Sequence, residues 1–295
     1  MLDKEKIQGL YWWAQDRVRG FQTGLHRSPD FGYSVEFAQH RAYVPGDSPK
    51  HVDWAVLAKT DRYLTKQYEA ESNLRSYFVV DSSSSLNFPE GPGNKWSVLL
   101  ELLALAGVLL QSQRDAMGLL ELYAGQEHFF EAKVDEQWTL RMLAHLHDIA
   151  QPLQGRENGA LAATLDHLGA RIPKRSQVII FTDAFIEQPE AVAQSAAQLS
   201  YMGHDVRWAV LYSDLYEFQA RGLSGQSVVD QETGARHYLS SDDALRFASF
   251  VKSQVNSMTE AGKNKGIATL GLNTDLDPLL LLYQLLEPPL ASLRK

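Results

Sequence analysis

The run Tyr77-Phe78-Val79-Val80 is apolar without interruption and ends abruptly at Asp81. A strand with one solvent-exposed face would carry a polar residue at every second position, so this run indicates a central parallel strand that is buried on both faces. Similar runs alternate with helical segments further along the chain. This alternation predicts an α/β fold with a doubly wound, mostly parallel sheet.

Strand-like and helix-like segments alternate over the whole region from residue 75 onward. Short apolar runs predict strands, and longer stretches with apolar residues three or four positions apart predict helices. The predicted strands lie at 77–80, 117–123, 128–132, 177–181, 206–211 and 267–270. The predicted helices lie at 94–112, 136–149, 160–170, 188–202, 242–263 and 277–286. Asn94 is the predicted N-cap of the first of these helices. Residues 227–239 are predicted to form a β-hairpin.

The first part of the chain has a different pattern of apolar and polar residues. Residues 4–19 mix apolar and charged side chains in a helical pattern, whereas residues 33–37 and 63–68 form short alternating runs. We therefore expect residues 1–74 to form an N-terminal helix and a small antiparallel β unit, packed on the main domain. Residues 75–295 are expected to form the α/β domain.

Composition narrows the functional classes. The chain has 36 acidic and 28 basic residues, and this net charge of -8 disfavours a nucleic-acid partner. It contains no cysteine, which excludes disulfides and thiolate zinc sites. The longest apolar stretch, 96–110, is shorter than the roughly 20 residues that span a bilayer and contains Glu101. We expect a cytoplasmic protein without a membrane span and without a secretory signal in residues 1–10.

A cluster of oxygen-bearing side chains follows the apolar strand. Asp81, Ser83 and Ser85 occupy alternating positions, and a second apolar strand ends in Asp183. Ligands bind at the carboxyl ends of the strands in open α/β sheets, and Mg²⁺ prefers oxygen ligands. If the two strands are neighbours, the four side chains form a candidate metal site. A serine-rich solvated turn is the alternative interpretation.

The same residues carry a family resemblance. Asp81-x-Ser83-x-Ser85, with Phe181-Thr182-Asp183 later, resembles the metal-ion-dependent adhesion site of von Willebrand factor A-like domains. Upstream, Tyr43-Val44-Pro45-Gly46-Asp47 and Val52-Asp53-Trp54, followed by the segment 66–71, resemble the signature of the bacterial family called domain of unknown function 58. The resemblance covers about residues 20–185.

The resemblance implies a von Willebrand A-like fold and a non-catalytic role as a protein-interaction adaptor. It also implies a MoxR-type AAA+ ATPase as partner, in the assembly or maturation of protein complexes. In such a site Asp81, Ser83 and Ser85 would bind Mg²⁺ directly, and Asp183 would act through water. The threonine ligand of these domains has no counterpart, because the corresponding position reads Glu157-Asn158-Gly159-Ala160-Leu161 and Thr164 lies beyond it.

Two alternatives remain open. A metal-dependent hydrolase would use the same crevice and an activated water, but it would also need a positioned base. His51, His145 and His147 are the nominal bases, and each is interpreted as a surface or half-buried histidine. A metal-free scaffold would explain the missing threonine.

Overall fold

A computed structural model of the chain describes residues 4–25, 37–44, 52–68, 74–123, 126–149, 161–186, 188–229 and 235–286. These residues belong to two compact units. The larger unit comprises residues 1–18 and 74–295, and the smaller one comprises residues 19–73.

A six-stranded sheet forms the centre of the larger unit. Its strands are β3 (Arg75–Asp81), β4 (Ala116–Tyr123), β5 (Gln126–Lys133), β6 (Gln177–Asp183), β7 (Asp205–Tyr212) and β10 (Ala268–Asn273). They lie in the order β10-β7-β6-β3-β4-β5. Every neighbouring pair is parallel except β4 and β5, which are antiparallel.

Helices cover both faces of this sheet. They are α1 (Lys4–Leu25), α3 (Lys95–Ser112), α4 (Glu136–Ile149), α5 (Leu161–Arg171), α6 (Pro189–Tyr201), α7 (Ser241–Asn264) and α8 (Pro278–Leu286). Side chains of α1, α3, α4 and α8 share one hydrophobic core with Phe78 and Val80 of β3. Side chains of α5, α6 and α7 share the other core with Tyr77 and Val79. The predicted fold class, a doubly wound and mostly parallel α/β sheet, is confirmed.

The long apolar helix α3 is a core helix. Its N-cap is Asn94, as predicted, because the Asn94 side chain accepts a hydrogen bond from the amide of Ser97. By length and composition α3 meets the criteria for a membrane-crossing helix, but 78% of it is buried inside the protein. No other helix in the described part of the chain meets them.

Two small antiparallel sheets accompany the central sheet. Strands β8 (Gln226–Val229) and β9 (Arg236–Leu239) form the predicted hairpin. In the smaller unit, β1 (Phe37–Ala42) pairs with β2 (Leu64–Tyr68), so an antiparallel β unit is present as predicted. Phe37 is the last residue of the predicted run 33–37, and residues 33–36 lie outside the described residues.

A short helix, α2 (Trp54–Thr60), connects the two strands of the smaller unit and was not expected. Asp53 caps it, since its Oδ1 atom accepts a hydrogen bond from the amide of Val56 at 3.2 Å. The Oδ2 atom lies 3.0 Å from Nε2 of His40. The Pro-Gly-Asp turn at 45–47 lies outside the described residues.

Helix α1 and the C-terminal helix α8 meet through an ion pair. Arg17 donates a hydrogen bond to Oδ2 of Asp277, the residue that precedes α8. The Oδ1 atom of Asp277 accepts from the amide of Leu279 at 2.9 Å and so caps the helix. The hydrogen bond from Arg17 and the helix amide hold the pKa of Asp277 below its usual value.

This ion pair predicts a pH-dependent contribution to stability. Because the pKa of Asp277 is lowered on folding, the contribution is present above the ordinary aspartate value of about 4 and is lost as the pH falls through the lowered pKa. Asp277→Asn should therefore reduce the free energy of unfolding by up to about 1 kcal/mol at neutral pH, since both side chains are partly exposed. Urea unfolding at neutral and acidic pH measures this difference. A difference that stays constant down to pH about 2 would contradict the prediction.

Candidate functional site

The site lies where the direction of winding changes in the sheet. From β3 the sheet continues through β4 on one side, and from the adjacent β6 it continues through β7 on the other. In doubly wound folds, the crevice outside the carboxyl ends of two such strands is the usual place for a ligand. Asp81 is the last residue of β3 and Asp183 is the last residue of β6.

Register confirms that β3 and β6 are neighbours. Val80 pairs with Phe181 in the parallel ladder, so both acids leave the sheet at the same edge. Both side chains are buried, at 5% and 3% exposure. The adjacency of the strands, on which the predicted site depends, is therefore present.

The loop after β3 gathers the serine hydroxyls. The amide of Ser82 donates to the carbonyl of Leu122 on β4, which holds the loop against the sheet edge. A 3₁₀ turn then runs over Ser84–Asn87. The hydroxyl oxygens of Ser83 and Ser85 lie 3.0 Å apart. The buried hydroxyl of Ser84 has no hydrogen-bond partner among the described residues.

Asp183 has a cationic neighbour that sequence analysis missed. Its Oδ1 atom accepts a hydrogen bond from the amide of Phe185, and its Oδ2 atom lies 3.5 Å from the ammonium of Lys95. Lys95 is the first residue of α3 and is fully buried. Its ammonium also donates to Oε1 of Glu217 at 2.6 Å. A lysine at a helix N-terminus is unfavourable because its positive charge opposes the helix dipole. This unusual placement is the feature of the sequence that could have identified Lys95 as a residue of the site.

Glu217 belongs to a π-helix, Asp214–Phe218, that follows β7. Its Oε2 atom accepts a hydrogen bond from the amide of Ser213 at 2.7 Å. Burial raises the pKa of Glu217, although the nearby ammonium opposes the shift. For Lys95, burial disfavours the charge, but the carboxylates of Glu217 and Asp183 outweigh it and raise the pKa. The ammonium therefore keeps its proton.

The residues of the crevice fit a small, hard cation. Adjacent ligands of octahedral Mg²⁺ lie about 2.8–3.0 Å apart, given metal–oxygen distances of about 2.0–2.1 Å. The 3.0 Å between the hydroxyls of Ser83 and Ser85 matches this separation. Asp81, Asp183 and Glu217 bring three carboxylates to this edge of the sheet, and the ammonium of Lys95 lies beside two of them. The donor set and the charge are both suited to a divalent cation.

Thr164 does not replace the missing threonine ligand. It lies in α5, where its hydroxyl donates to Oε1 of Glu127 at 2.7 Å. Residues 157–160, which stand in the position of the family's threonine loop, lie outside the described residues. The first-strand motif and Asp183 are thus the described part of the predicted metal site.

A second group of titratable side chains escaped the sequence analysis. Glu121 of β4, His128 of β5 and His145 of α4 place their donor atoms within 4.8 Å of one another. His145 is half-buried, as expected, but it contacts Glu121. His147 lies two residues further along α4, and His51 is outside the described residues. The group could not be predicted because the sequence does not show the antiparallel register that pairs Glu121 with His128.

The chain matches a known protein family over most of its length. A family model described as "Protein of unknown function DUF58" matches residues 39–259. The uncharacterized protein Rv1480 of Mycobacterium tuberculosis is 26% identical over 278 residues, which cover 93% of this chain and 82% of that protein.

The solved structures that are similar to the chain include the following two. One is the conserved hypothetical protein BatB from Bacteroides thetaiotaomicron, with a TM-score of 0.46 and 11% identity over 72% of this chain and 97% of that one. The other is the SpRpn10 VWA domain, with a TM-score of 0.43 and 11% identity over 72% and 94% of the two chains. Both TM-scores are below 0.5, so neither protein's properties are transferred to this chain.

The buried ammonium of Lys95 predicts a large effect on stability. Lys95→Met leaves the buried carboxylate of Glu217 without its counter-charge, which typically costs about 3–5 kcal/mol of unfolding free energy. Neutralising the acid as well, in Lys95→Met/Glu217→Gln, should recover at least half of that loss. Chemical denaturation of both variants measures the difference.

The matched control is Lys252→Met, because Lys252 is an exposed lysine of α7 that lies over the ring of Phe218. This substitution should change stability by no more than about 0.5 kcal/mol. A loss below about 1 kcal/mol for Lys95→Met would show that the buried ion pair is not a structural requirement.

Proposed function

Since the chain belongs to the DUF58 family, whose description assigns no function, we propose from its own residues that it is a non-catalytic adaptor. In this proposal the crevice outside β3 and β6 docks a protein partner. The observation that carries the proposal is that Asp81, with the serine loop after it, and Asp183 end two neighbouring strands at the same edge of the sheet, where its winding reverses. That position suits ligand binding in a doubly wound sheet.

A divalent metal, Mg²⁺, is proposed as part of the docking site. Asp81, Ser83 and Ser85 would hold it, and Asp183 would support it through water. When bound, the ion supplies a coordination position that a carboxylate of the partner can fill. The chain's own residues preorganise the site, because the loop amide of Ser82 is tied to β4.

Lys95 is assigned a positioning role in the crevice. Its ammonium joins the start of α3 to the end of β6 and to the π-helix after β7. It neutralises part of the negative charge while leaving an excess of carboxylates for a cation. Since its pKa is raised, the amine keeps its proton and is unsuited to act as a general base at neutral pH. This favours docking over hydrolysis.

The proposed partner is a MoxR-type AAA+ ATPase, and the proposed process is the assembly or maturation of protein complexes in the cytoplasm. This assignment follows from the family resemblance of the sequence motifs. The crevice contributes one requirement of its own. A partner that completes the metal shell must present an Asp or Glu side chain at the tip of a protruding segment.

Binding of the purified full chain to a purified MoxR-type ATPase from the same genome tests the proposal. We expect binding in excess Mg²⁺ that weakens about tenfold or more in EDTA, a loss typical of a central interface contact. Asp81→Asn should weaken binding in Mg²⁺ to a similar extent. Asp205→Asn is the matched control, because Asp205 is an aspartate at the opposite end of the same sheet, at the start of β7.

The outcomes separate the parts of the proposal. Binding that is equal in Mg²⁺, in EDTA and in Asp81→Asn would refute the metal-supported interface. Metal-dependent hydrolysis of a phosphoester or peptide panel, abolished in Asp81→Asn, would replace the adaptor with an enzyme. Weakening by Asp205→Asn as large as that by Asp81→Asn would assign docking to a different surface.

A further inference from the structure

Three side chains of metal-binding type meet where β4, β5 and α4 come together. The Oε2 atom of Glu121 lies 2.8 Å from Nδ1 of His128 and 3.4 Å from Nε2 of His145. Glu121 and His128 are directly opposite each other in the antiparallel ladder of β4 and β5. We propose that these three residues form a binding site for a divalent transition metal, with Zn²⁺ as the ion that fits best.

The donor set selects the class of metal. One carboxylate and two imidazoles form a mixed nitrogen and oxygen set that suits Zn²⁺ and related transition metals, whereas Mg²⁺ prefers oxygen donors. Two histidines with one glutamate is also a ligand set that leaves a position open in zinc proteins. This site is therefore chemically distinct from the all-oxygen crevice at Asp81.

The geometry is close to that of a bound ion. Ligand atoms of a tetrahedral Zn²⁺ lie about 3.3–3.6 Å apart, given metal–ligand distances of about 2.0–2.2 Å. The distance from Glu121 to His145, 3.4 Å, already matches. The distance from Glu121 to His128, 2.8 Å, is that of a hydrogen bond, and would lengthen by less than 1 Å when the ion replaces the shared proton. The remaining separation is no more than 4.8 Å.

Backbone structure holds two of the ligands in place. Glu121 and His128 are fixed by the ladder, and Glu121 is fully buried. The ring of His145 packs against Phe130 of β5, with centroids 5.2 Å apart. The two imidazoles are tilted by 56° with centroids 4.8 Å apart, so their ring nitrogens can converge on one ion. Small rotations of the two histidines suffice to complete the site.

Electrostatics also favours a cation at this position. Burying the carboxylate of Glu121 is costly without a counter-charge, and among the described residues no lysine or arginine pairs with it. Both histidines contact the carboxylate, so a divalent ion held between the three side chains would supply the counter-charge that burial requires.

One side of the site reaches solvent. The side chain of His128 is 42% exposed and that of His145 is 23% exposed, whereas Glu121 is inaccessible. A metal held by these residues can enter from the His128 side and keep a water molecule in its fourth position. The proposal does not depend on the adaptor function, since it involves different ligands and a different ion.

Zn²⁺ titration of the chelator-treated full chain tests the proposal. The titration is performed in excess Mg²⁺, which saturates any all-oxygen site and leaves the nitrogen-containing one. We expect one strong site in the wild-type chain, and at least tenfold weaker binding in His128→Ala and in His145→Ala. Co²⁺ should give the visible absorption bands of a tetrahedral site in the wild-type chain and lose them in both variants.

The control is His147→Ala, because His147 lies on the same helix but is not among the three ligands. It should bind Zn²⁺ as the wild type does. His128→Ala removes a partly exposed side chain, so its fold should survive, and circular dichroism verifies this. The proposal is overturned if the wild-type chain takes up no Zn²⁺ under these conditions. It is also overturned if folded His128→Ala and His145→Ala bind Zn²⁺ as tightly as His147→Ala.

Discussion

The ion pairs of Lys95 fix the structural elements around the candidate site at the carboxyl ends of β3 and β6. A fully buried ammonium needs carboxylates close to it, and Lys95 has a hydrogen bond to Glu217 at 2.6 Å and an ion pair with Asp183 at 3.5 Å. The three residues come from the start of α3, the π-helix after β7 and the end of β6. Their mutual attraction fixes these elements around the crevice, so the crevice is formed before any ligand arrives.

Two different sets of potential metal ligands lie on the two sides of β4. On the β3 side, the loop after Asp81 presents hydroxyl and carboxylate oxygens at the central crevice. On the β5 side, Glu121 meets the imidazoles of His128 and His145. Because hard oxygen donors and softer nitrogen donors prefer different ions, the two proposed sites would not compete for one metal. The backbone of β4 links them, since Leu122, the residue after Glu121, accepts the amide hydrogen bond of Ser82 in the serine loop.

Much of the fold could be predicted because burial leaves a local trace in the sequence. The apolar run before Asp81 became β3, and the apolar stretch after Asn94 became α3 with the expected cap. Helix α2 was not predicted because a helix of seven residues is too short to show a clear periodicity of apolar side chains. The antiparallel β unit was predicted from alternation, and the pairing of β1 with β2 confirms it.

The site was less predictable than the fold for a physical reason. Strand ends can be read from apolar runs, so the proximity of Asp81 and Asp183 followed once their strands were taken as neighbours. The partnership of Lys95 with Glu217 spans 122 residues and depends on the position of a π-helix, which has no period to read. The meeting of Glu121 with His145 depends equally on register and on how α4 packs. Anomalous scattering of Mn²⁺ in crystals of the full chain tests directly whether the crevice outside β3 and β6 binds a divalent metal. We expect a peak beside Asp81, Ser83 and Ser85. Well-ordered crystals at saturating Mn²⁺ with no peak in that crevice would contradict it.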